Sequence, residues 1–287
     1  MDVQQNNLVD SSQSMPVTQS TAGTRPDRKD KVHLIDAICA QGERVCLRPQ
    51  QRVQLPPAGK MVVLRDGLLA IDAMPAKGKL QILDFLVAGD IVTASIVLRT
   101  PGVSLRAISS ASLVSLDHRL IDLDPSACEY WAFLSAQYQN QLARVNIHQL
   151  MIGRLETEPR VASFLLALAL ADVSGQACGL NVTLPMSRTD IANYLVINSD
   201  TLSRTMMKFS DLGLIKRVSR HLIRILDIEK LRKISPLAPL LSAVFEKGIS
   251  QHGDWSGHSS IGAFISSGHS NHAALCRSAT TPVHCPV

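Results

Sequence analysis

The stretch 187–213, SRTDIANYLVINSDTLSRTMMKFSDLG, decides the reading of this chain. Ser187 and Asp190 stand three residues apart, an acidic version of the capping box. A helix is therefore predicted to start at Ser187, with Ile191, Ala192 and Leu195 on its inward face. Val196-Ile197-Asn198 reads as a tight turn. A second helix is predicted from Ser199 to Leu212, stopped by Gly213, the residue type that best accepts the left-handed conformation after a helix. At helical spacing Leu202, Thr205, Met206, Phe209 and Leu212 fall on one side of it, and Asp200, Ser203, Arg204, Met207, Lys208 and Asp211 on the other. Two short helices joined by a tight turn, the second polar at its N-terminal edge, form a helix-turn-helix pattern over Asp190 to Phe209. In that geometry the edge reaches base edges in the major groove while helix-terminal N–H groups meet phosphate.

Downstream, Leu214 to Ile225 alternates apolar and polar residues across a short hairpin and reads as a basic wing. Charge locates the same region. Residues 184–233 hold ten Lys or Arg against five acids, and the rest of the chain is balanced, so the entire formal charge of +5 sits there. The candidate DNA-binding residues are Ser187, Arg188, Ser199, Asp200, Ser203, Arg204, Lys208, Lys216, Arg217 and Arg220.

Upstream, Asp124-Pro125 is a helix start, and Thr157-Glu158-Pro159 breaks that helix and begins the next, whose Val161, Phe164, Leu165 and Leu168 share a buried face. Between the breaks, Trp131, Leu134, Tyr138, Val145, Ile152 and Leu155 recur at spacings of three and four, with Gln141 and His148 at intervening positions. This seam is predicted to pack against its own copy in a parallel homodimer. Before it, short apolar runs alternate with turns: Met61–Arg65 and Leu68–Met74 flank Asp66-Gly67, read as a two-residue hairpin, and further strands follow to Leu116. These suggest a compact β-barrel or roll, one that looks short ahead of Met61.

The 287 residues are 46% hydrophobic, 18% charged and 4% aromatic, which excludes a wholly disordered or collagen-like chain and leaves aliphatic side chains to fill the cores. The ends, 1–30 and 235–287, are polar or rich in Ser, Gly and His and are expected to be largely disordered tails. No secretory signal and no membrane span is expected, since the most apolar stretch, Val161–Val173, is interrupted by Ser163 and Asp172. Cys39, Cys46, Cys128, Cys178, Cys276 and Cys285 are scattered singly, as reduced thiols of a cytoplasmic protein would be. No metal site is predicted, including among the histidines of the C-terminal tail. The absence of GxSxG, HExxH and Walker motifs argues against an enzyme.

Residues 190–209, with Leu184-Pro185-Met186-Ser187-Arg188 before and Gly213-Leu214-Ile215 after, resemble the helix-turn-helix of the Crp/Fnr superfamily of bacterial transcription regulators, in its Fnr-like, FixK-type branch. A weaker likeness runs upstream, where Leu64-Arg65-Asp66-Gly67 and Phe85 to Asp90 resemble that family's β-roll. The resemblance implies an α+β chain divided into a cyclic-nucleotide-binding-like β-roll (31–123), a dimerisation helix (124–156) and a winged helix-turn-helix (157–234). It also implies double-stranded DNA and RNA polymerase as partners and a TTGA-like palindrome as target. Arg204 would read guanine N7 and O6, Ser203 the adjacent base or phosphate, and Asp200 an amino hydrogen. Two departures stand out: Asp200 replaces the usual Glu, and Val196 stands where a turn Gly is common. Gly89-Asp90 and Arg99-Thr100 depart from the pattern that grips a cyclic phosphate, so no cAMP binding is expected. Cys39 and Cys46 cannot supply the clustered thiolates of an iron–sulfur centre, which is likewise not expected. The effector is not named by the sequence. A second reading makes the chain a ligand-sensing β-roll protein whose helical half contacts protein.

Overall fold

The computed structural model describes residues 39–40, 42–54, 56–75, 78–93, 102–122, 127–171 and 180–247. Both proposed tails up to residue 38 and beyond 247, together with Asp124-Pro125, Arg99-Thr100 and Cys178, lie outside the described residues.

The N-terminal half is β1 (Glu43–Leu47), β2 (Arg52–Val53), β3 (Lys60–Asp66), β4 (Leu69–Ala73), β5 (Gln81–Leu86), β6 (Ile91–Thr93), β7 (Val103–Ala107) and β8 (Ala111–Asp117). They pair antiparallel into two sheets of order β1-β8-β3-β6 and β2-β7-β4-β5. Strand alternation sorts the faces. Leu64 and Leu113 of one sheet meet Leu69, Ile71 and Leu105 of the other in the roll's interior. The roll is not short ahead of Met61, because β1 and β2 each join a sheet. Nor is Asp66-Gly67 a hairpin turn. Strand β3 pairs with β6 and β8, whereas β4 pairs with β5 and β7, so the dipeptide is a corner between sheets. Gly67 takes φ +98°, and a Cβ there would lie 2.5 Å from the Ser110 carbonyl. Both flanking strands are apolar on two faces, so the turn residues could not indicate which strand was the partner.

Helices α1 (His118–Asp122) and α2 (Ala127–Arg154) follow. Tyr130 and Leu134 of α2 pack on the outer face of the first sheet with Met61, Val63, Ile91, Val114 and Leu116. Gln141 acts there as a strand surrogate, accepting from the Ile91 N–H at 3.2 Å and donating to its carbonyl at 3.0 Å. This corrects the predicted seam. Leu134 is 1% exposed within its own subunit, Gln141 and His148 are buried, and Leu155 packs against the C-terminal core. Leu134 and Leu155 thus leave the seam, while the free flank keeps Trp131 of the predicted residues, with the half-buried Tyr138, Val145 and Ile152, and adds the unanticipated Leu142, 60% exposed. A long helix with two adjacent apolar stripes satisfies a three-and-four spacing along either, and the spacing alone does not say which stripe the β-roll takes.

The C-terminal half is built on α3 (Thr157–Ala171), whose residues Val161–Leu166 are all buried. Around it lie β9 (Leu180–Thr183), α4 (Arg188–Leu195), α5 (Ser199–Asp211), β10 (Ile215–Arg217), β11 (Leu222–Ile225), α6 (Ile228–Ile234), α7 (Ala238–Ser242) and a π-helical turn, Ala243–Lys247. The wing is three-stranded, β10-β11-β9, with β9 unforeseen. Residues 235–247, assigned to the tail from composition, are folded: Leu237, Ala238 and Leu241 are buried against the same core. Two leucines and an alanine within five residues anchor a segment that its prolines and serines made look loose. The two halves share one core. Ala70, Ile82, Phe85 and Ile108, on the outer face of the second sheet, join α2, α3 and α4 in a single cluster. Among the described residues no helix is long and apolar enough to cross a membrane.

Candidate nucleic-acid interface

Helix α4 starts as the sequence predicts. The Ser187 hydroxyl accepts from the Asp190 N–H at 3.1 Å and Asp190 Oδ2 accepts from the Ser187 N–H at 3.1 Å, closing the capping box. The helix ends at Val196 with φ 53° and ψ 48°, so a β-branched residue occupies the left-handed region where it is most strained. Arg160 holds this turn from α3, donating to the carbonyls of Leu195, Val196 and Leu155. Since Val196 is half exposed and contributes little packing, Val196→Gly is expected to stabilise the protein by about 1 kcal/mol, read as a rise in the urea midpoint. An unchanged or lowered midpoint would mean the turn carries no such strain.

Helix α5 divides as predicted. Leu202, Thr205 and Phe209 are buried, while Ser199, Asp200, Arg204, Met207 and Lys208 are exposed and Ser203 is half-buried. Leu212 departs from the predicted inward face: it lies past the end of the helix and is 55% exposed. Gly213 takes φ +67°, the expected stop. No side chain caps the helix at Asn198, leaving its first-turn N–H groups open to an anionic acceptor. Arg188 reaches across from α4 to donate to Ser203 Oγ at 3.1 Å, which joins two of the predicted residues. Lys208 pairs instead with Glu158. Lys216 and Arg217 are exposed on β10, and Arg220 is exposed in the turn of the wing. Ser187, Arg188, Ser199, Asp200, Ser203 and Arg204 therefore gather at the helix-turn-helix, with the three wing cations beyond.

Behind this surface lies a charged junction that sequence reading missed. On α4, Tyr194 stacks on His148 of α2 with ring centroids 3.9 Å apart, and meets Phe85 of β5 at 5.0 Å. The His148 ring nitrogen lies 2.8 Å from the Tyr194 carbonyl. Burial outweighs its backbone hydrogen bonds and holds His148 below its ordinary pKa, in the neutral form. Beside it Arg144 pairs with Asp90. Asp84 is buried in the same place: desolvation pushes its carboxyl up to about 7, opposed by the Arg144 charge and reinforced by that of Asp90. A second group joins Asp72 of β4, Arg106 of β7 and Asp190 of α4. The available signal was a charged residue inside each of three apolar strands, LAIDA, QILDFL and VSLRA. Among the described residues no three His, Cys, Asp or Glu side chains converge as a metal site.

Residues 159–234 match the Crp-like helix-turn-helix domain family. The chain is 32% identical over 183 residues to the nitrogen fixation regulation protein FixK of Azorhizobium caulinodans, spanning 62% of this chain and 72% of that protein. It is 28% identical over 182 residues to the transcriptional regulatory protein btr of Bordetella pertussis, spanning 62% and 74%. In fold it is similar to FixK2 from Bradyrhizobium japonicum, with a TM-score of 0.54 at 22% identity over 68% of this chain and 97% of that one. With an α+β fold of β-roll, long helix and winged helix-turn-helix, and with this measure of identity to FixK, the chain belongs to the Crp/Fnr family of DNA-binding transcription regulators, in its FixK-type branch.

Proposed function

We propose that this regulator works as a cytoplasmic homodimer on a TTGA-like palindrome, independently of cAMP and in partnership with RNA polymerase. In this reading 31–123 is the sensor-like unit, 124–156 the dimer helix and 157–234 the reading head. The observation that carries it is the polar edge of α5, with Asp200 and Arg204 exposed and Ser203 half-buried between them, on a helix whose opposite flank, Leu202, Thr205 and Phe209, is locked into the core. Arg204 can take guanine N7 and O6 as a bidentate pair. Ser203 meets the neighbouring base or phosphate, and Asp200 accepts an amino hydrogen. Ser187, Arg188 and Ser199 flank that edge, and Lys208, Lys216, Arg217 and Arg220 supply phosphate contacts. The exposed Trp131 and Leu142, with Tyr138, Val145 and Ile152, support pairing of two copies along α2.

A gel shift on a TTGA-containing palindrome and on a scrambled duplex, at two salt concentrations, with the subunit count taken by native mass spectrometry, tests the reading. Two chains per duplex, preference for the palindrome and weaker binding at high salt are expected. Equal affinity for both duplexes, or one chain per palindrome, would overturn it. Lys216→Ala or Arg217→Ala is expected to weaken binding to every sequence alike and to lower the salt slope by about 1. A loss confined to the palindrome would instead place these side chains on bases.

A further inference from the structure

We infer that Arg106, a residue of the β-roll far in sequence from the reading head, is a positioning residue for DNA recognition that fixes how the helix-turn-helix is oriented on the roll. The inference rests on the DNA reading proposed above.

Strand alternation places Asp72 and Arg106 on the outer face of the second sheet, opposite the neighbours Ile71, Leu105 and Ala107 that fill the roll's interior. They would be solvated there if α4 did not cover them, yet Asp72 is fully buried and Arg106 is 5% exposed. The guanidinium is used along its whole rim. Nε donates to Asp72 Oδ2 at 2.7 Å, Nη2 to Asp72 Oδ1 at 3.1 Å and to Asp190 Oδ1 at 2.8 Å, and Nη1 to Gln50 Oε1 at 3.2 Å. Burial opposes its charge, but the hydrogen bond to Asp72 and the Asp190 charge override this and hold its pKa above the ordinary value. Gln50 presents its amide from a backbone at φ 67°, a strained position for a residue with a side chain.

The partner on the other side is not an arbitrary surface acid. Asp190 gives one carboxylate oxygen to Arg106 and the other to the Ser187 N–H and hydroxyl. The group that closes the first turn of α4 is thus the group tied to the sheet. From that turn Arg188 reaches Ser203 on α5, so the tie lies two residues from a direct link to the reading edge. The apolar contacts around Phe85 and Tyr194 hold the two halves together, but hydrophobic contact is non-directional. A planar guanidinium locked to two carboxylates sets an angle. In a two-fold dimer that angle sets the separation of the two reading edges and hence the half-site spacing the protein accepts.

Removing Arg106 strands neither acid. Asp72 keeps Arg52 at 2.9 Å, and Asp190 keeps its cap. The test measures the affinity of wild type, Arg106→Met and Asp190→Asn for the palindrome, for the same half-sites moved apart by two base pairs, and for a scrambled duplex, with a thermal melt of each protein. Asp190→Asn retains an oxygen for the cap while discharging the tie, and it carries the test should Arg106→Met fail to fold. Both variants are expected to lose about tenfold of the preference for the correctly spaced palindrome over the stretched one. Arg106→Met should bind the scrambled duplex as the wild type does. Folded variants that keep the wild-type spacing preference would overturn the inference and leave the function standing. A wild type indifferent to the palindrome would overturn the function and the inference together.

Discussion

Arg204→Ala is expected to cost about 1 to 3 kcal/mol at one base pair of each half-site and to abolish discrimination at that pair. The side chain is exposed beside Asp200 on the polar edge of α5, and its removal touches none of the buried residues Leu202, Thr205 and Phe209. Stability should therefore stay put while specific affinity falls. Fluorescence anisotropy with the palindrome and with a duplex altered at the guanine gives the answer. The variant should bind the two alike, at a level above scrambled DNA set by its remaining contacts. A variant that still prefers the guanine would take Arg204 out of base recognition.

Arg144→Met is expected to destabilise the fold by about 3 to 5 kcal/mol at pH 8, because it leaves the buried Asp90 carboxylate, and Asp84 where it is ionised, without their cation. Arg144 pairs with Asp90, and its charge also opposes the desolvation of Asp84. The loss should depend on pH in a definite sense. Burial pushes the Asp84 carboxyl up to about 7 in the fold against 3.8 for an ordinary aspartate, so its protonated form stabilises the protein fully below the lower value and that contribution is lost as pH rises through the upper one. Without Arg144 the carboxyl is held protonated more strongly, so urea unfolding should show a larger loss at pH 8 than at pH 6. Adding Asp84→Asn should recover part of the loss at pH 8. A loss below about 1 kcal/mol, or one indifferent to pH, would mean that these charges are solvated.

The reading head was legible because its signals are local. A capping Ser187 with Asp190, a stop at Gly213 and apolar residues at helical spacing each act within one or two turns, and they agree with one another. The β-roll was legible as a class and not as a topology, since Asp66-Gly67 marks a change of direction but the partners of β3 and β4 are chosen by sheet packing far along the chain. Asp72 and Arg106 illustrate a further limit. Alternation places them outward, where a charge is ordinary, and only the arrival of α4 makes them buried and consequential. Leu134 and Leu155 pack within the subunit, and Leu142 went unnoticed, for a related reason: a periodic stripe does not reveal which of two surfaces it meets. Segment 235–247 was misjudged because composition averaged a few anchoring leucines into a polar tail.

Methylation interference on the palindrome tests the central claim most directly, because guanine N7 is the acceptor that Arg204 should occupy. Wild-type protein should be excluded by N7 methylation of a single guanine in each half-site, and Arg204→Ala should be indifferent at that guanine while keeping the remaining pattern. Identical patterns for the two proteins, or no guanine in the half-site that excludes the wild type, would contradict the placement of this helix edge in the major groove.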